Sequence, residues 1–264
     1  MNINSQNIAF NYEKKTYLIN DDVLKKTILP PDCVDLIVTS PPYNVGIDYN
    51  SSNDNNAYGK YLEFSRQWIE NCFYWAKDES RFLLNIPLDK NKNGVQSVGA
   101  DITRIAKEAG WLYRSTIVWN EGNISRRTAW GSWISASAPC VIAPVELIII
   151  FYKKNWKKTN GSKISDISKD EFISWTNGLW TFNGESKKRI GHPAPFPREL
   201  PKRCIKLFSY VDDIVLDPFC GSGTTMIEAF LNHREFIGID IDQNYCQLAK
   251  KRFLDIVNKE KELL

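Results

Sequence analysis

Short apolar runs alternate with longer amphipathic segments along most of this 264-residue chain. The apolar runs are rich in Val and Ile and predict strands at residues 17–19, 34–39, 81–86, 112–119, 146–152, 213–217 and 235–240. The amphipathic segments predict helices near residues 57–77, 96–109, 201–209, 223–232 and 243–258. This alternation is typical of an α/β fold with a largely parallel sheet.

Two polar stretches interrupt the alternation. Residues 44–56 are rich in Asn, Ser and Asp and predict a long loop, a candidate for closing over a bound ligand. Residues 153–191 have little periodicity, and we expect them to form an insertion used in recognition. The chain is then one domain with a first half at 1–152 and a second half at 192–264.

The composition is that of an ordinary globular protein, with 43% hydrophobic residues, 25% charged residues and a formal net charge of +3. It excludes a disordered or low-complexity chain. The longest apolar run, residues 146–152, is too short to span a bilayer. The first residues lack the pattern of a secretory signal, so we expect a cytoplasmic protein.

The six cysteines and two histidines do not have the spacing of a metal site. The cysteines form no Cys-x-x-Cys pair, and a disulfide framework is not typical of a chain of this size without a signal peptide. We therefore expect no bound metal, and we expect the thiols to be buried or incidental.

A glycine-rich sequence, Asp-Pro-Phe-Cys-Gly-Ser-Gly-Thr-Thr, occupies residues 217–225, between an apolar strand and a predicted helix. Its glycines let a ligand approach the backbone, and the helix start offers N–H groups. The sequence lacks the Lys-Ser/Thr ending of a phosphate-binding loop. Met226 stands where the dinucleotide fingerprint has its third glycine, which argues against a nicotinamide dehydrogenase. A tight turn without a ligand is the alternative.

A further apolar strand ends in a carboxylate, Asp240, 17 residues after Gly223. In doubly wound folds a carboxylate about 20 residues after the glycine-rich turn binds the ribose of a nucleoside cofactor. A carboxylate suits this role because it accepts two hydrogen bonds in parallel. The alternative for Asp240 is a cap of the following helix, for which Asp242 is better placed.

The sequence Thr-Ser-Pro-Pro-Tyr at residues 39–43 directly follows a predicted strand. Its two prolines restrict the backbone, so Ser40 and the carbonyl of Pro41 are immobile hydrogen-bond acceptors at the carboxyl end of the sheet. Tyr43 adds a flat ring. Such groups suit the exocyclic amino group of a planar base that has left its stack. Without the glycine-rich sequence, this motif is equally consistent with a simple turn.

Four motifs in one order resemble those of the amino-methylating DNA methyltransferases. They are Thr-Ser-Pro-Pro-Tyr at 39–43, His-Pro-Ala-Pro-Phe-Pro at 192–197, the glycine-rich sequence at 217–225 and Phe-Ile-Gly-Ile-Asp at 236–240. The catalytic motif precedes the cofactor motif, as in the beta group of that family. The resemblance covers about residues 16–257 without much of 153–190. It implies a Rossmann-like sheet with a circularly permuted motif order, a small target-recognition insertion, and adjacent strands at 34–39 and 213–217.

The resemblance also implies S-adenosyl-L-methionine as the cofactor and a set of residues that bind it. These residues are Thr39, Phe196, Asp217, Phe219, Gly221, Ser222, Gly223, Thr224 and, for the ribose, Asp240. Asp21 or Asp22 would contact the adenine; this chain has Asn20 where the family has glycine, so both aspartates stay candidates. A helix cap before residues 23–28 is the alternative role for them.

The family's reaction is methyl transfer to the N4 amino group of cytosine or the N6 amino group of adenine. The catalytic residues implied here are Ser40, Pro41, Pro42 and Tyr43, and they require no covalent intermediate. Cys140 follows a proline, as the nucleophile of carbon-5 methyltransferases does, but we expect a packed thiol. Ser-Pro-Pro-Tyr favours cytosine N4, with adenine N6 as the alternative. A catalytically idle DNA-binding module is a remote alternative.

Basic residues are concentrated in the insertion, where residues 153–189 contain nine Lys or Arg and four Asp or Glu. Seven of the nine tryptophans lie between residues 111 and 180, and cations among aromatics suit a nucleic-acid surface. The predicted contacts to double-stranded DNA are Arg126, Arg127, Lys153, Lys154, Lys157, Lys158, Lys187, Lys188 and Arg189. The alternative is a solvated loop with buried tryptophans. A cognate restriction endonuclease and a second copy of the chain are further candidate partners.

Overall fold

A computed structural model describes residues 7–43, 48–49, 52–53, 57–88, 96–122, 131–141, 145–159, 161–185 and 197–262. The strands are β1 Ile8–Tyr12, β2 Thr16–Asn20, β3 Val34–Thr39, β4 Asp48–Tyr49, β5 Ser52–Asn53, β6 Ala76–Pro87, β7 Leu112–Asn120, β8 Val145–Tyr152, β9 Leu179–Thr181, β10 Ile214–Asp217 and β11 Glu235–Asp240. The helices are α1 Tyr58–Trp75, α2 Val98–Glu108, α3 Lys169–Trp175, α4 Glu199–Phe208, α5 Thr224–Leu231 and α6 Gln243–Glu262. A 3-10 turn spans Lys26–Ile28.

One mixed sheet has the strand order β1-β2-β11-β10-β3-β6-β8-β7-β9. The strands from β2 to β6 in that order are parallel, whereas β8 is antiparallel to both of its neighbours. Strand β10 pairs with β3, so the two segments that the motif order predicted to be neighbours do lie side by side. Their carboxyl ends meet at one edge of the sheet, where such folds bind ligands.

The sheet separates two apolar cores, because successive residues of a strand face opposite sides. In β3, Ile37 packs in the core that contains Trp68 of α1, whereas Leu36 and Val38 pack in the core that contains Ile205 of α4. All six residues of β3 are buried, including the polar Asp35 and Thr39, because the strand is covered on both faces of the sheet. Burial of each large apolar side chain contributes roughly 1.5–3 kcal/mol.

The predicted α/β fold is confirmed, and each predicted strand and helix is present. Strand β6 begins at Ala76, within the end of the predicted helix 57–77 and well before the predicted start at 81, and β1 was not predicted. Helix α2 is followed by Gly110, whose φ of +105° is a conformation that ends helices. Helix α4 begins at Glu199, so Pro201 lies in its first turn, where a missing amide hydrogen is tolerated. Among the described helices, none has an apolar stretch that could cross a membrane.

The polar stretch 153–191 has more structure than its sequence suggests. Within it, α3 begins with a capping box in which Ser168 accepts the amide of Glu171 and the Glu171 side chain accepts the amide of Ser168. Strand β9 then adds to the edge of the sheet by pairing with β7. The Ser-x-x-Glu spacing predicts such a helix start, although we did not expect α3.

Candidate active site

The two motifs that lie far apart in the sequence are joined by hydrogen bonds at the edge where β3 and β10 end. Thr39 Oγ1 donates to Asp217 Oδ1 at 2.7 Å, and Thr225 Oγ1 donates to Asp217 Oδ2 at 2.7 Å. The amide of Phe219 donates to Asp217 Oδ1 at 3.1 Å. Asp217 therefore links the end of the catalytic strand to the glycine-rich turn.

Asp217 is only 1% exposed, and burial raises the pKa of its carboxyl to about 6. Its three internal donors lower the pKa, but by less than burial raises it. Both carboxylate oxygens already accept hydrogen bonds inside the protein. The side chains of Asp217 and Thr39 thus connect the two motifs, and the contact of these residues to the cofactor stays a prediction.

The glycine-rich turn has a backbone that side chains do not readily adopt. Gly221 has φ +51° and Gly223 has φ +77°, both in the left-handed region. A Cβ on Gly223 would lie 2.9 Å from Cβ of Ala249, so the turn packs closely against α6. The amide of Gly221 donates to Asp240 Oδ2 at 2.7 Å and joins the turn to the end of β11.

Asp240 is half-buried at the carboxyl end of β11. Burial raises the pKa of its carboxyl to about 6, against the amides of Asp242 and Gly221, which lower it. The cap of α6 is Asp242, whose Oδ1 accepts the amide of Asn244 at 2.7 Å. The structure therefore gives the capping role to Asp242, as the sequence favoured, and leaves Asp240 at the turn.

The neighbouring strand end holds the two aspartates between which the sequence did not decide. Asp21 accepts hydrogen bonds from Asn7 at 2.9 Å, from Lys25 at 2.5 Å and from the amide of Asp22 at 2.8 Å. Asp22 Oδ1 accepts the amide of Leu24 at 3.0 Å, as a residue that starts a turn does. The acceptors of Asp21 are thus largely committed to internal donors.

An exposed apolar side chain, Ile241, follows Asp240 and is 55% exposed. Asn20 Nδ2 donates to the carbonyls of Asp240 and Ile241 at 3.0 Å and holds this chain segment against the end of β2. Neither Ile241 nor this role of Asn20 is predicted from the sequence. A single apolar residue after a motif carboxylate gives no pattern that would reveal it.

The other predicted cofactor residues differ in how accessible they are. Ser222 and Thr224 are 4% and 5% exposed. Arg252 covers them, because its guanidinium donates to the carbonyl of Ser222 and to Thr224 Oγ1. Phe219 is half-buried and packs edge-on against Trp68, with ring centroids 5.2 Å apart. Phe196 lies outside the described residues, as do residues 192–195.

The catalytic motif is part of a polar network that the sequence did not reveal. Ser40 Oγ lies 2.5 Å from Tyr43 Oη, and Tyr43 Oη donates to Glu146 Oε2 at 3.2 Å. Asn85 Nδ2 donates to Tyr43 Oη at 2.8 Å and to Glu146 Oε2 at 2.5 Å. Pro41 is buried and Pro42 half-buried beside this network. Asn85 and Glu146 lie at the facing ends of β6 and β8, so only the register of the sheet brings them to the motif.

Two of the predicted DNA contacts are wrong, because their side chains point into the protein. Lys153 is 8% exposed and donates to the carbonyl of Ala76 at 2.6 Å and to Asp32 at 2.8 Å. Lys158 is 5% exposed and donates to the buried Asp213 at 2.6 Å. A buried cation of this kind stays paired inside the protein and does not neutralise phosphate.

The remaining predicted contacts of the basic run differ from these two. Lys154 is 62% exposed and pairs with Asp78, and Lys157 is exposed. The other predicted cations lie outside the described residues: Arg126, Arg127, Lys187, Lys188 and Arg189. The loop 44–56 also lies outside them, apart from the short strands β4 and β5.

Most of the clustered tryptophans are core residues, as the alternative interpretation held. The buried ones in residues 111–180 are Trp111, Trp119, Trp175 and Trp180. Trp175 and Trp180 also border the guanidinium of Arg203 in α4, at 5.4 and 5.2 Å from their ring centroids. Among the described tryptophans of this span, Trp133 alone is largely exposed to solvent, at 67%.

Cys140, the cysteine that follows a proline, is half-buried.

The geometry fits S-adenosyl-L-methionine. The left-handed turn at Gly221 brings the backbone next to Asp240, and a side chain at Gly223 would collide with α6. A half-buried carboxylate at a strand end matches a ribose diol, and the exposed Ile241 offers apolar surface to an adenine ring.

Comparisons with known proteins identify the family of this chain. A family model described as a DNA methylase, of the N6/N4 type, matches residues 34–251. The Type II methyltransferase M.MjaVI of Methanocaldococcus jannaschii is 59% identical over 173 residues, which are 66% of this chain and 88% of that protein.

Solved structures show the same fold. TTHA0409 of Thermus thermophilus, complexed with S-adenosyl-L-methionine, has a TM-score of 0.70 at 26% identity, over 89% of this chain and 92% of that one. The cytosine-N4-specific PvuII DNA methyltransferase has a TM-score of 0.71 at 20% identity, over 94% of this chain and 89% of that one.

These likenesses confirm the Rossmann-like methyltransferase fold and S-adenosyl-L-methionine as the cofactor. They also confirm that the reaction is the methylation of DNA. The match of the family model extends from the strand before the catalytic motif into α6 and so includes both motifs. The chain belongs to the N6/N4 DNA methylase family.

Proposed function

We propose that this methyltransferase acts on the N4 amino group of a cytosine that has been flipped out of the DNA duplex. The observation that carries the proposal is the position of the Ser40 hydroxyl. It is half-buried at the end of β3, next to the strand that leads into the glycine-rich turn, and it lies on a network of polar side chains. An amino group held by Ser40 would stand beside the cofactor turn.

The cofactor would lie along the carboxyl ends of β10, β11 and β2. Gly221 and Gly223 supply the turn, Asp240 accepts the ribose hydroxyls and Ile241 borders the adenine. We assign the adenine contact to Asp22 rather than Asp21, because Asp21 already accepts three internal hydrogen bonds. When bound, S-adenosyl-L-methionine supplies an activated methyl group on a sulfonium.

The protein has to make an exocyclic amino group reactive. The lone pair of this nitrogen is delocalised into the base, which makes it a poor nucleophile. Hydrogen bonds from the amino group to Ser40 Oγ and to the carbonyl of Pro41 favour a tetrahedral nitrogen, whose lone pair then points at the methyl group. The rigid Pro41-Pro42 backbone holds these acceptors in place, so orientation makes the main contribution.

Cytosine is favoured over adenine because the acceptor in the motif is a neutral hydroxyl. A family member that acts on adenine N6 more often has a carboxylate at the position of Ser40. The ring of Tyr43 can stack on either base, so it does not discriminate between them. Adenine N6 is therefore the second candidate, and the reaction steps above are the same for it.

DNA contacts would come from the side of the molecule that carries the catalytic motif. Among the described residues, the exposed Trp133 and Ile134 lie on the segment 131–141 and offer surface for a displaced base or strand. Phosphate contacts are still proposed for Arg126, Arg127, Lys187, Lys188 and Arg189.

M.MjaVI is named a Type II methyltransferase, and on that likeness we propose a restriction–modification role with a cognate endonuclease. A homodimer is proposed by family resemblance alone.

The test is direct identification of the methylated base. The purified protein is incubated with tritiated S-adenosyl-L-methionine and unmethylated genomic DNA, and the DNA is digested to nucleosides for mass spectrometry. A Ser40→Ala variant purified in the same way controls for contaminating methyltransferases. We expect label in N4-methylcytosine. Label in N6-methyladenine would overturn the proposal of cytosine as the target base. An absence of label in a protein that binds the cofactor would overturn the proposed function.

A further inference from the structure

The Ser40 hydroxyl is one end of a chain of hydrogen bonds that ends at a carboxylate. Ser40 Oγ is 2.5 Å from Tyr43 Oη, which is 3.2 Å from Glu146 Oε2. Asn85 bridges the last two groups, with its Nδ2 at 2.8 Å from Tyr43 Oη and 2.5 Å from Glu146 Oε2. The members come from the catalytic turn, from β6 and from β8, so the sheet register fixes their distances.

The chemistry of these groups determines which way each hydrogen points. An ionised carboxylate only accepts hydrogen bonds, so Tyr43 must donate its hydroxyl hydrogen to Glu146. The oxygen of Tyr43 then accepts from Asn85 and from Ser40. Ser40 thereby commits its own hydrogen to Tyr43, and the acceptor lone pairs of Ser40 Oγ are left for a substrate.

The orientation of Asn85 follows from the same contacts. Its amide nitrogen supplies two hydrogens, one for Tyr43 Oη and one for Glu146 Oε2. The reversed amide would place a carbonyl oxygen against the carboxylate, which is repulsive. Asn85 is 2% exposed, and its Oδ1 accepts no hydrogen bond from the described residues. The two hydrogen bonds that the Asn85 nitrogen donates therefore hold the side chain in this orientation.

We propose that Glu146 is a positioning residue for methyl transfer. Through Tyr43, and supported by Asn85, it orients the Ser40 hydroxyl as a hydrogen-bond acceptor toward the substrate amino group. This inference rests on the proposed function of Ser40. It also gives Tyr43 a second role, because its hydroxyl and not only its ring contributes to the reaction.

The same chain accounts for the proton that the reaction releases. The amino nitrogen forms a bond to the methyl carbon while the carbon–sulfur bond breaks, and the electron pair of that bond stays on sulfur. The methylated nitrogen then gives one proton to Ser40 Oγ. The hydrogen of Ser40 moves to Tyr43, and the hydrogen of Tyr43 moves to Glu146, which later releases a proton to solvent.

The test compares single-turnover methyl transfer in four variants at saturating cofactor and DNA. Tyr43→Phe keeps the ring and removes the hydroxyl, and we expect a rate loss of about 100-fold, as for general acid–base groups. Glu146→Leu removes the acceptor and should lose as much. Glu146→Gln keeps an oxygen acceptor without the charge, so its rate should be about tenfold higher than that of Glu146→Leu. The combination of Tyr43→Phe with Glu146→Leu should be no slower than either single variant.

Glu79→Gln is the matched control, because it makes the same chemical change on β6 at the opposite end of the sheet, where Glu79 accepts hydrogen bonds from Thr159. Its rate should equal that of the unmodified protein. Cofactor affinity, measured by calorimetry, should stay within about twofold in all variants, since the loss lies in the chemical step.

The outcomes separate the inference from the proposed function. If the unmodified protein labels no DNA, the proposed function fails and the inference fails with it. If the unmodified protein is active and Tyr43→Phe keeps its rate within twofold, the inference alone is overturned. Rate losses that multiply in the double variant would also overturn it, because independent groups do not act through one chain. Should Glu146→Leu fail to bind cofactor, Tyr43→Phe decides the matter.

Discussion

The two ends of the central sheet use polar side chains in opposite ways. At the carboxyl ends of β3 and β11, Ser40, Tyr43 and Asp240 are half-buried, and Asp240 accepts the amide of Gly221 in the glycine-rich turn. At the amino ends of β3 and β10, Lys158 and Asp213 are 5% and 0% exposed and lie 2.6 Å apart. Charges that are fully paired inside a protein hold its parts together, whereas partly open groups can exchange water for a ligand.

Strand direction explains why the basic run 153–158 lies near the amino ends of β3 and β10. We call this edge of the sheet the structural end, and the edge that carries Ser40 the catalytic end. Strand β8 is antiparallel to β6, with Glu146 opposite Pro87 and Tyr152 opposite Arg81. The six steps along the strand from Arg81 to Pro87 span roughly 20 Å at about 3.3 Å per step. Lys153 and Lys158 follow Tyr152, so they lie at the far end of the sheet from Ser40. Charge counts along the sequence do not contain this information.

The largest effect should come from the catalytic end. Ser40→Ala removes the side-chain acceptor of the substrate amino group, and we expect methyl transfer to slow by at least 100-fold, since a positioned polar group of this kind contributes about 100- to 1000-fold. Cofactor affinity should stay within about twofold, because Ser40 is assigned to the base. Rapid-quench single-turnover assays and calorimetry measure the two quantities. A comparable loss of cofactor affinity would contradict the division of roles between the motifs.

At the structural end, Lys158→Met should destabilise the protein without reducing its affinity for DNA. Removing one partner of a buried ion pair lowers the free energy of unfolding by about 3–5 kcal/mol. We expect the lower end, because Asp213 keeps a contact to Lys163 at 2.6 Å. Urea unfolding measures the loss. Lys154→Ala is the control, since its pair with Asp78 is exposed and contributes about 0–1 kcal/mol.

The fold and the catalytic end could be predicted from the sequence because local signals coincide there. The apolar run 34–39 predicts a buried strand, and the prolines at 41 and 42 restrict the backbone that follows. The glycine-rich turn and Asp240 each follow an apolar strand. Since parallel strands end at the same edge of a sheet, correct strand assignment already brings these groups together.

The remaining features depend on which strands are neighbours. Asn85 and Glu146 join the catalytic network through antiparallel pairing of β6 with β8, and neither belongs to a local motif. The burial of Lys153 follows from a contact to Ala76 across the same pair of strands. Strand β9 consists of three residues, too few for a recognisable periodicity.

Asp240→Ala tests the cofactor role at the catalytic end. Each hydrogen bond to a charged group contributes about 1.5–3 kcal/mol, so the loss of even one ribose hydrogen bond should weaken cofactor binding by at least about tenfold. Calorimetry with S-adenosyl-L-methionine measures it, and Asp242→Ala, which removes the cap of α6, is the control for loss of structure. Unchanged affinity in Asp240→Ala would refute the ribose role.

Cofactor affinity should also depend on pH. Burial raises the pKa of Asp240 to about 6, and the ionised form accepts hydrogen bonds from the ribose. Affinity should therefore be constant above pH 7 and fall as the pH drops through 6, when the carboxyl gains a proton. Asp217 has a raised pKa of about 6 as well, so Asp217→Asn should keep the fall and Asp240→Asn should abolish it. If the fall in affinity disappears in Asp217→Asn and persists in Asp240→Asn, the titrating group is Asp217, which links the two motifs.

The smallest effect is expected for Lys157→Ala, and it asks whether the basic run binds DNA at all. Lys157 is exposed between the two buried lysines. If it contacts one phosphate, the slope of log affinity against log salt concentration should fall in magnitude by about 0.9. The methyl-transfer rate of the bound complex should not change, because this end of the sheet is far from Ser40. An unchanged slope would show that Lys157 contacts no phosphate and that the prediction for this residue is wrong.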